Sequence, residues 1–141
     1  MSYLEFTVDG EPVGKGRPRF TRSGHAYTPE KTADYENLVK LSFRNKYPDF
    51  KPILKVIPLS VVICAEFPIP ASFCRNARLE AKRGTKKPTK KPDADNIAKS
   101  ICDALNGLAY HDDSQIVELT VHKKYSGSPC VKVCIGELRG E

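Results

Sequence analysis

The chain has 141 residues, 40% of them apolar and 28% charged, with a formal charge of +6. That length fits one ordinary globular domain over residues 1–141, and the composition excludes an intrinsically disordered chain. No apolar run is long enough to span a bilayer, and the N-terminus lacks a signal-peptide pattern, so the expectation is a cytoplasmic protein without membrane contact.

In chain order, Leu4–Val8 alternates and predicts a strand, and Asp9-Gly10 turns the chain. Residues 10–28, rich in Gly, Pro and Arg, predict a loop or irregular hairpin. Thr28 and Pro29 predict a helix start, with Thr28 as N-cap and Pro29 at the first position. That helix should run to about Lys46, bury Tyr35, Leu38, Val39, Ser42 and Phe43, and stop at Pro48. A strand should begin after Pro58 and end before Pro68 and Pro70. Residues 71–83 predict a short basic helix, and 84–92 a mobile Lys/Pro/Thr loop. A second main helix should run from Asp93 or Ala94 to about Asn106. Ile97, Ile101, Ala104, Leu105 and Leu108 would form its apolar face, with Gly107 just past its end. Strands at 115–121 and 131–135 follow, joined by Ser126-Gly127-Ser128-Pro129, most simply as a hairpin. The order predicts an α+β fold, a single mixed β-sheet with two main helices packed on one face.

Charge is unevenly spread. Lys15, Arg17, Arg19 and Arg22 lie in one short segment, and eight more bases lie between Arg75 and Lys91. Directly afterwards come Asp93, Asp95, Asp103, Asp112 and Asp113, with Lys99 among them. Asp95, Lys99 and Asp103 fall at i, i+4 and i+8, so they share one helix face. Asp93 and Asp95 sit where the helix dipole favours carboxylates, and helix caps with an exposed ion pair would account for these residues equally well.

Asp112-Asp113 adds to the acidic group. The helix is roughly 20 Å long. Residues 107–113 can reach back at most roughly 23 Å. The chain can therefore return the second acidic pair to the helix start, near the limit of its reach. Odd positions Val117, Leu119 and Val121 are apolar and even positions polar, so extending the register backwards puts Asp113 on the core-facing side and turns Asp112 away. Three converging carboxylates need a cation, and hard oxygen ligands select Mg²⁺, with Mn²⁺ as a substitute. Such an ion can activate water for phosphoryl displacement, and Lys99 could neutralise the scissile phosphate.

Asp93-x-Asp95-Asn96-x-x-Lys99, then Asp103-Ala104-Leu105, then Asp112-Asp113-Ser114-Gln115-Ile116-Val117, resembles the signature of RusA-type Holliday-junction resolvases. The match covers roughly residues 92–125. The resemblance implies metal-binding and catalytic roles for Asp93, Asp95 and Asp113, a catalytic role for Lys99, and a structural role for Asp103. It also implies a homodimer that makes Mg²⁺-dependent paired nicks in four-way DNA during recombination and repair. Gly14-Lys15-Gly16-Arg17-Pro18-Arg19-Phe20 with Ala26-Tyr27-Thr28-Pro29 looks like the phage and prophage branch. Gly14-Lys15-Gly16 is not a Walker A loop, since no Ser or Thr follows the lysine.

Lys15, Arg17, Arg19 and Arg22, interleaved with Phe20 and Tyr27, are the expected phosphate contacts of one segment; packing of those rings into the core is the competing expectation. Lys86, Lys87, Lys90 and Lys91 are the expected contacts of the other, against a simply solubilising loop. His25, His111 and His122 read as incidental. The five cysteines include no C-x-x-C pair, and Cys130 and Cys134 have poor zinc spacing, so reduced thiols are expected. Two competing functions share these residues. One is a nuclease for other branched DNA. The other is a non-enzymatic nucleic-acid-binding protein whose aspartates only cap and solvate a helix.

Overall fold

The structure is a computed structural model that describes residues 3–17, 19–27 and 29–138. Its main sheet has four strands: β1 (Tyr3–Asp9), β4 (Leu59–Pro68), β5 (Ile116–Ser126) and β6 (Cys130–Glu137), in the order β1-β6-β4-β5. Two short strands, β2 (Arg19–Phe20) and β3 (Ala26–Tyr27), form a separate hairpin in the N-terminal loop. The helices are α1 (Glu30–Lys46), α2 (Arg75–Arg83) and α3 (Ala94–Ala104). The sheet is mixed, as expected for this α+β chain: β4 runs parallel to β5 and antiparallel to β6.

β4 explains the topology. Leu59, Val61, Ile63, Ala65 and Phe67 alternate along it and are all buried. Placing this strand inside the sheet covers the most apolar segment from both sides, which overrides the simplest local connection. The expected hairpin between β5 and β6 is therefore corrected, because β4 lies between them. Glu66 pairs with Cys130 and Pro68 with Ser126, so residues 127–129 pass around the end of β4. Two strand spacings are about 10 Å, a distance that this short connection can cross.

In α1 the stripe Thr32, Tyr35, Val39 and Phe43 is buried against β1 and α3. The expected stripe is corrected at Leu38, which is exposed, because it lies toward the helix edge. Pro29 occupies the cap position rather than the first turn, and Thr28 lies outside the described residues. α3 buries Ile97, Ala98, Ile101 and Ala104 and ends two residues short of Asn106; Gly107 has φ +79°, a left-handed conformation available to a glycine. One contiguous apolar core joins β1, α1, β4, α3 and β6. Segment 84–92 has no regular structure but is anchored: Pro88 is buried, Lys86 lies 5.3 Å from the Phe73 ring centroid, and Lys123 Nζ donates to the Lys90 carbonyl at 2.6 Å. Among the described residues, no helix is long and apolar enough to cross a membrane.

Candidate active site on helix α3

The entrance to α3 is built by the segment before it and by the N-terminal loop. Asp93 is extended and caps the helix with its backbone only: its carbonyl accepts from Ile97, while its carboxylate makes no cap bond. Asp95 lies in the first turn. Both side chains are exposed, and neither has a hydrogen bond or ion pair to any described residue. Two bare carboxylates beside the helix N–H groups are favoured by the dipole, and their oxygens remain available to a ligand.

The loop is fastened along this helix. Lys15 N–H donates to Asn96 O at 2.9 Å, Ser100 Oγ donates to Val13 O at 2.8 Å, and Gly16 N–H donates to Thr32 Oγ1 at 2.9 Å. Gly14 permits the contact, since a Cβ there would stand 2.8 Å from Pro92 Cβ. Loop and helix enclose a groove of about 600 Å³ lined by Arg17, Arg19, Lys31, Lys91, Asp93 and Asn96. The groove is cationic and opens beside Asp93, so it suits a polyanion whose phosphate would lie near that carboxylate.

The expected DNA contacts fall into two groups. Arg17, Arg19, Arg22, Lys87, Lys90 and Lys91 are exposed, as are Phe20 and Tyr27, so those two rings do not fill the core. Lys86 is instead half-buried over the Phe73 ring, and Lys15 is bound internally, 2.7 Å from Glu36 Oε2 and 3.3 Å from Asp103 Oδ2. The opposed carboxylates outweigh its desolvation and raise its pKa. Lys99 projects from the exposed face and pairs with Asp103 Oδ1 at 3.5 Å. Lys31 and Glu36 are additions that the sequence did not single out. A charged residue in the first turn of an amphipathic helix has no signature separating a groove wall from a solvated surface.

Asp113 lies near Cys102 and Tyr110, toward the C-terminal part of α3. Tyr110 Oη donates to the Cys102 carbonyl at 2.7 Å, which ties the segment before the second acidic pair to the last turns of α3. Burial, with the charges of Asp113 and Asp103 close by, pushes the Cys102 thiol up to about 11. Residues 95 and 102 are separated by about 10 Å of helix rise. Among the described residues, no three His, Cys, Asp or Glu side chains gather to hold a metal. The expected meeting of Asp93, Asp95 and Asp113 is therefore corrected: it does not occur within one chain.

The odd–even alternation of β5 does not reach Asp113. Leu119 pairs with Val61 and Val121 with Ile63, so the odd positions do share the helix-bearing face. Val117 and Leu119 are nonetheless 62% and 49% exposed, because β5 is an edge strand. Asp113 itself sits in a 3₁₀ turn, Asp113–Gln115, where strand alternation has no hold. Asp112 caps that turn by accepting from Ser114 N–H at 3.1 Å, leaving Asp113 as the uncommitted member of the pair. Gln115 fixes the turn. Its Oε1 accepts from His111 and Asp112 N–H, and its Nε2 donates to the Leu54 and Ile57 carbonyls.

An exposed acidic helix end beside a basic groove defines a protein that handles a polyanion. The family model described as endodeoxyribonuclease RusA matches residues 9–136, nearly the whole chain. An uncharacterised protein of Bacillus subtilis (strain 168), YqaN, is 39% identical over 141 residues, covering 98% of this chain and 99% of its own length. The chain belongs to the RusA endodeoxyribonuclease family.

Proposed function

We propose that this protein is a Mg²⁺-dependent structure-specific endonuclease that resolves four-way DNA junctions by paired symmetric nicking, acting as a homodimer in the cytoplasm through one nuclease domain. The observation that carries this reading is the pair of unpartnered carboxylates at the start of α3, Asp93 on the wall of a cationic groove and Asp95 in the first turn, in a chain of this family.

The donor set fits the ion. Mg²⁺ is commonly held by one or two carboxylates and completes its shell with water and phosphate oxygens. Asp93 and Asp95 would hold it, and when bound it would supply charge stabilisation and water activation for phosphodiester hydrolysis. Arg17, Arg19, Lys31 and Lys91 would seat the strand by its phosphates. Lys99 would offset charge developing on the scissile phosphate. Mn²⁺, another hard oxygen-seeking ion, would substitute.

Asp113 completes the set only across a dimer. It lies near the C-terminal part of α3, whereas Asp93 and Asp95 lie at its start. A two-fold axis that sets two such helices antiparallel would bring Asp113 of the second copy toward Asp93 and Asp95 of the first. An isologous dimer then carries two equivalent sites, one for each of two opposed junction strands.

The test is cleavage of a synthetic four-way junction with mapped nick positions, beside three-way and linear duplex controls. The expected result is paired nicks at symmetric positions, dependent on Mg²⁺ or Mn²⁺ and specific to the four-way substrate. Equal cutting of linear DNA would overturn junction specificity. A folded protein that binds junctions but cuts nothing with either ion would overturn the enzymatic reading.

A further inference from the structure

Asp95, Lys99 and Asp103 offer Lys99 two acidic neighbours, one turn before it and one turn after. An acid four residues N-terminal to a lysine is the better helical arrangement. The structure has the opposite pairing: Lys99 Nζ lies 3.5 Å from Asp103 Oδ1, and Asp95 is unpaired among the described residues. The reason lies outside the helix. Asp103 is half-buried, and its other oxygen is held 3.3 Å from Lys15 Nζ, which is itself 2.7 Å from Glu36 of α1. A carboxylate fixed from one side presents its second oxygen in a constant direction, toward Lys99.

We propose that Asp103, braced by Lys15 and Glu36, is a positioning residue that draws the Lys99 ammonium away from Asp95 and so leaves the Asp93–Asp95 pair free to take a divalent cation. The device solves a conflict within one helix face. A lysine needed near the scissile phosphate would otherwise neutralise a carboxylate needed for the metal. It also gives Lys15 an internal role, in contrast with the phosphate contact expected from its place in the basic loop. This inference rests on the metal reading of Asp93 and Asp95 given above.

The test measures Mn²⁺ binding to the full-length protein by calorimetry without DNA, alongside junction binding and thermal melting. Asp103→Asn keeps the side-chain shape but releases Lys99 to Asp95. A unit positive charge moved next to the cation site predicts Mn²⁺ affinity lower by roughly three- to tenfold. Asp103→Glu, which keeps the charge, should recover most of that loss. In a Lys99→Gln background, Asp103→Asn should have no further effect on Mn²⁺ affinity. Equal affinity for the wild type and Asp103→Asn would overturn the proposal while leaving the metal site standing. So would an Asp103→Asn loss that persists undiminished without Lys99, since that would show a structural role. Failure of the wild type itself to bind Mn²⁺ would instead overturn both this inference and the metal reading beneath it.

Discussion

The two ends of helix α3 carry similar residues in opposite states. At the N-terminal end, Asp93 and Asp95 are exposed and without partners among the described residues. At the C-terminal end, Asp103 is bound by Lys15 and Lys99, and the Tyr110 hydroxyl closes on the Cys102 carbonyl. A carboxylate satisfied inside the protein has little left to offer a ligand, and a bare one has all of its capacity. On the proposed reading, the contrast separates acids that would hold the cation from acids that arrange the site, although all lie within one short segment.

The sharpest test of this division uses Asp95 and Asp113 together. Asp95→Asn should lower cleavage by at least about 100-fold while junction binding persists, because the groove cations are untouched. Asp113→Asn should do the same. If Asp113 serves a neighbouring copy, mixing the two inactive variants should restore cleavage, since one of the two sites in a mixed dimer is then intact. No recovery in a mixture shown to exchange subunits would show that Asp113 does not complete the neighbouring copy's site. Either outcome is read on a gel as nicks from a four-way junction.

A smaller effect is expected from Gln115, which holds the Asp113 turn in place. Its side chain meets five backbone groups, linking the turn to the Ile53–Ile57 segment. Gln115→Ala leaves several of these without partners and should cost roughly 3 kcal/mol. For a chain of this length that is a fall in Tm of about 8 °C. Metal binding at the far end of α3 should survive in the fraction that remains folded. Loss of Mn²⁺ binding in a folded Gln115→Ala protein would show that the two ends are one unit.

Much of the N-terminal end was legible in the sequence because its signals are local. Asp93 before an apolar stripe, and Asp95 and Lys99 one turn apart, follow from helical periodicity. The C-terminal end was not, because its geometry depends on contacts far apart in sequence. The reach of residues 107–113 permitted a return to the helix start, but the Tyr110–Cys102 bond holds that segment at the opposite end. The insertion of β4 between β5 and β6 was hidden for the same reason: hairpin logic reads only the connection, and here burial of a central apolar strand decides the order. Lys15 looked like its arginine neighbours until Glu36 and Asp103, remote in sequence, were placed around it.

The groove cations give a third contrast, between Arg17 and Lys15. Arg17 is exposed on the groove wall, whereas Lys15 is internally paired. Each phosphate contact removed should reduce the slope of log affinity against log salt by about 1. Arg17→Ala should therefore flatten the salt dependence of junction binding. Lys15→Met should leave that slope near the wild-type value, with its cost appearing in stability. A salt slope lowered equally by both would mean that Lys15 releases its carboxylates to meet DNA.

The smallest expected effect tests the packed end alone. A helix leaves its last four carbonyls without intrahelical donors. Cys102 is among them: α3 ends at Ala104, and the Asn106 N–H donates to Asp103 instead. Tyr110 supplies the missing donor from outside the helix, with its ring fully buried and its hydroxyl held well above the ordinary phenol range by burial. Tyr110→Phe keeps the ring and removes only that donor, at a cost of about 1 kcal/mol. A fall in Tm of about 3 °C is expected. Because the bond anchors the segment that carries Asp113 and touches neither Asp93 nor Asp95, cleavage should drop more than junction or Mn²⁺ binding does. A Tyr110→Phe protein with unaltered Tm but reduced Mn²⁺ affinity would reverse the assignment of the two ends, making the packed end part of the cation site.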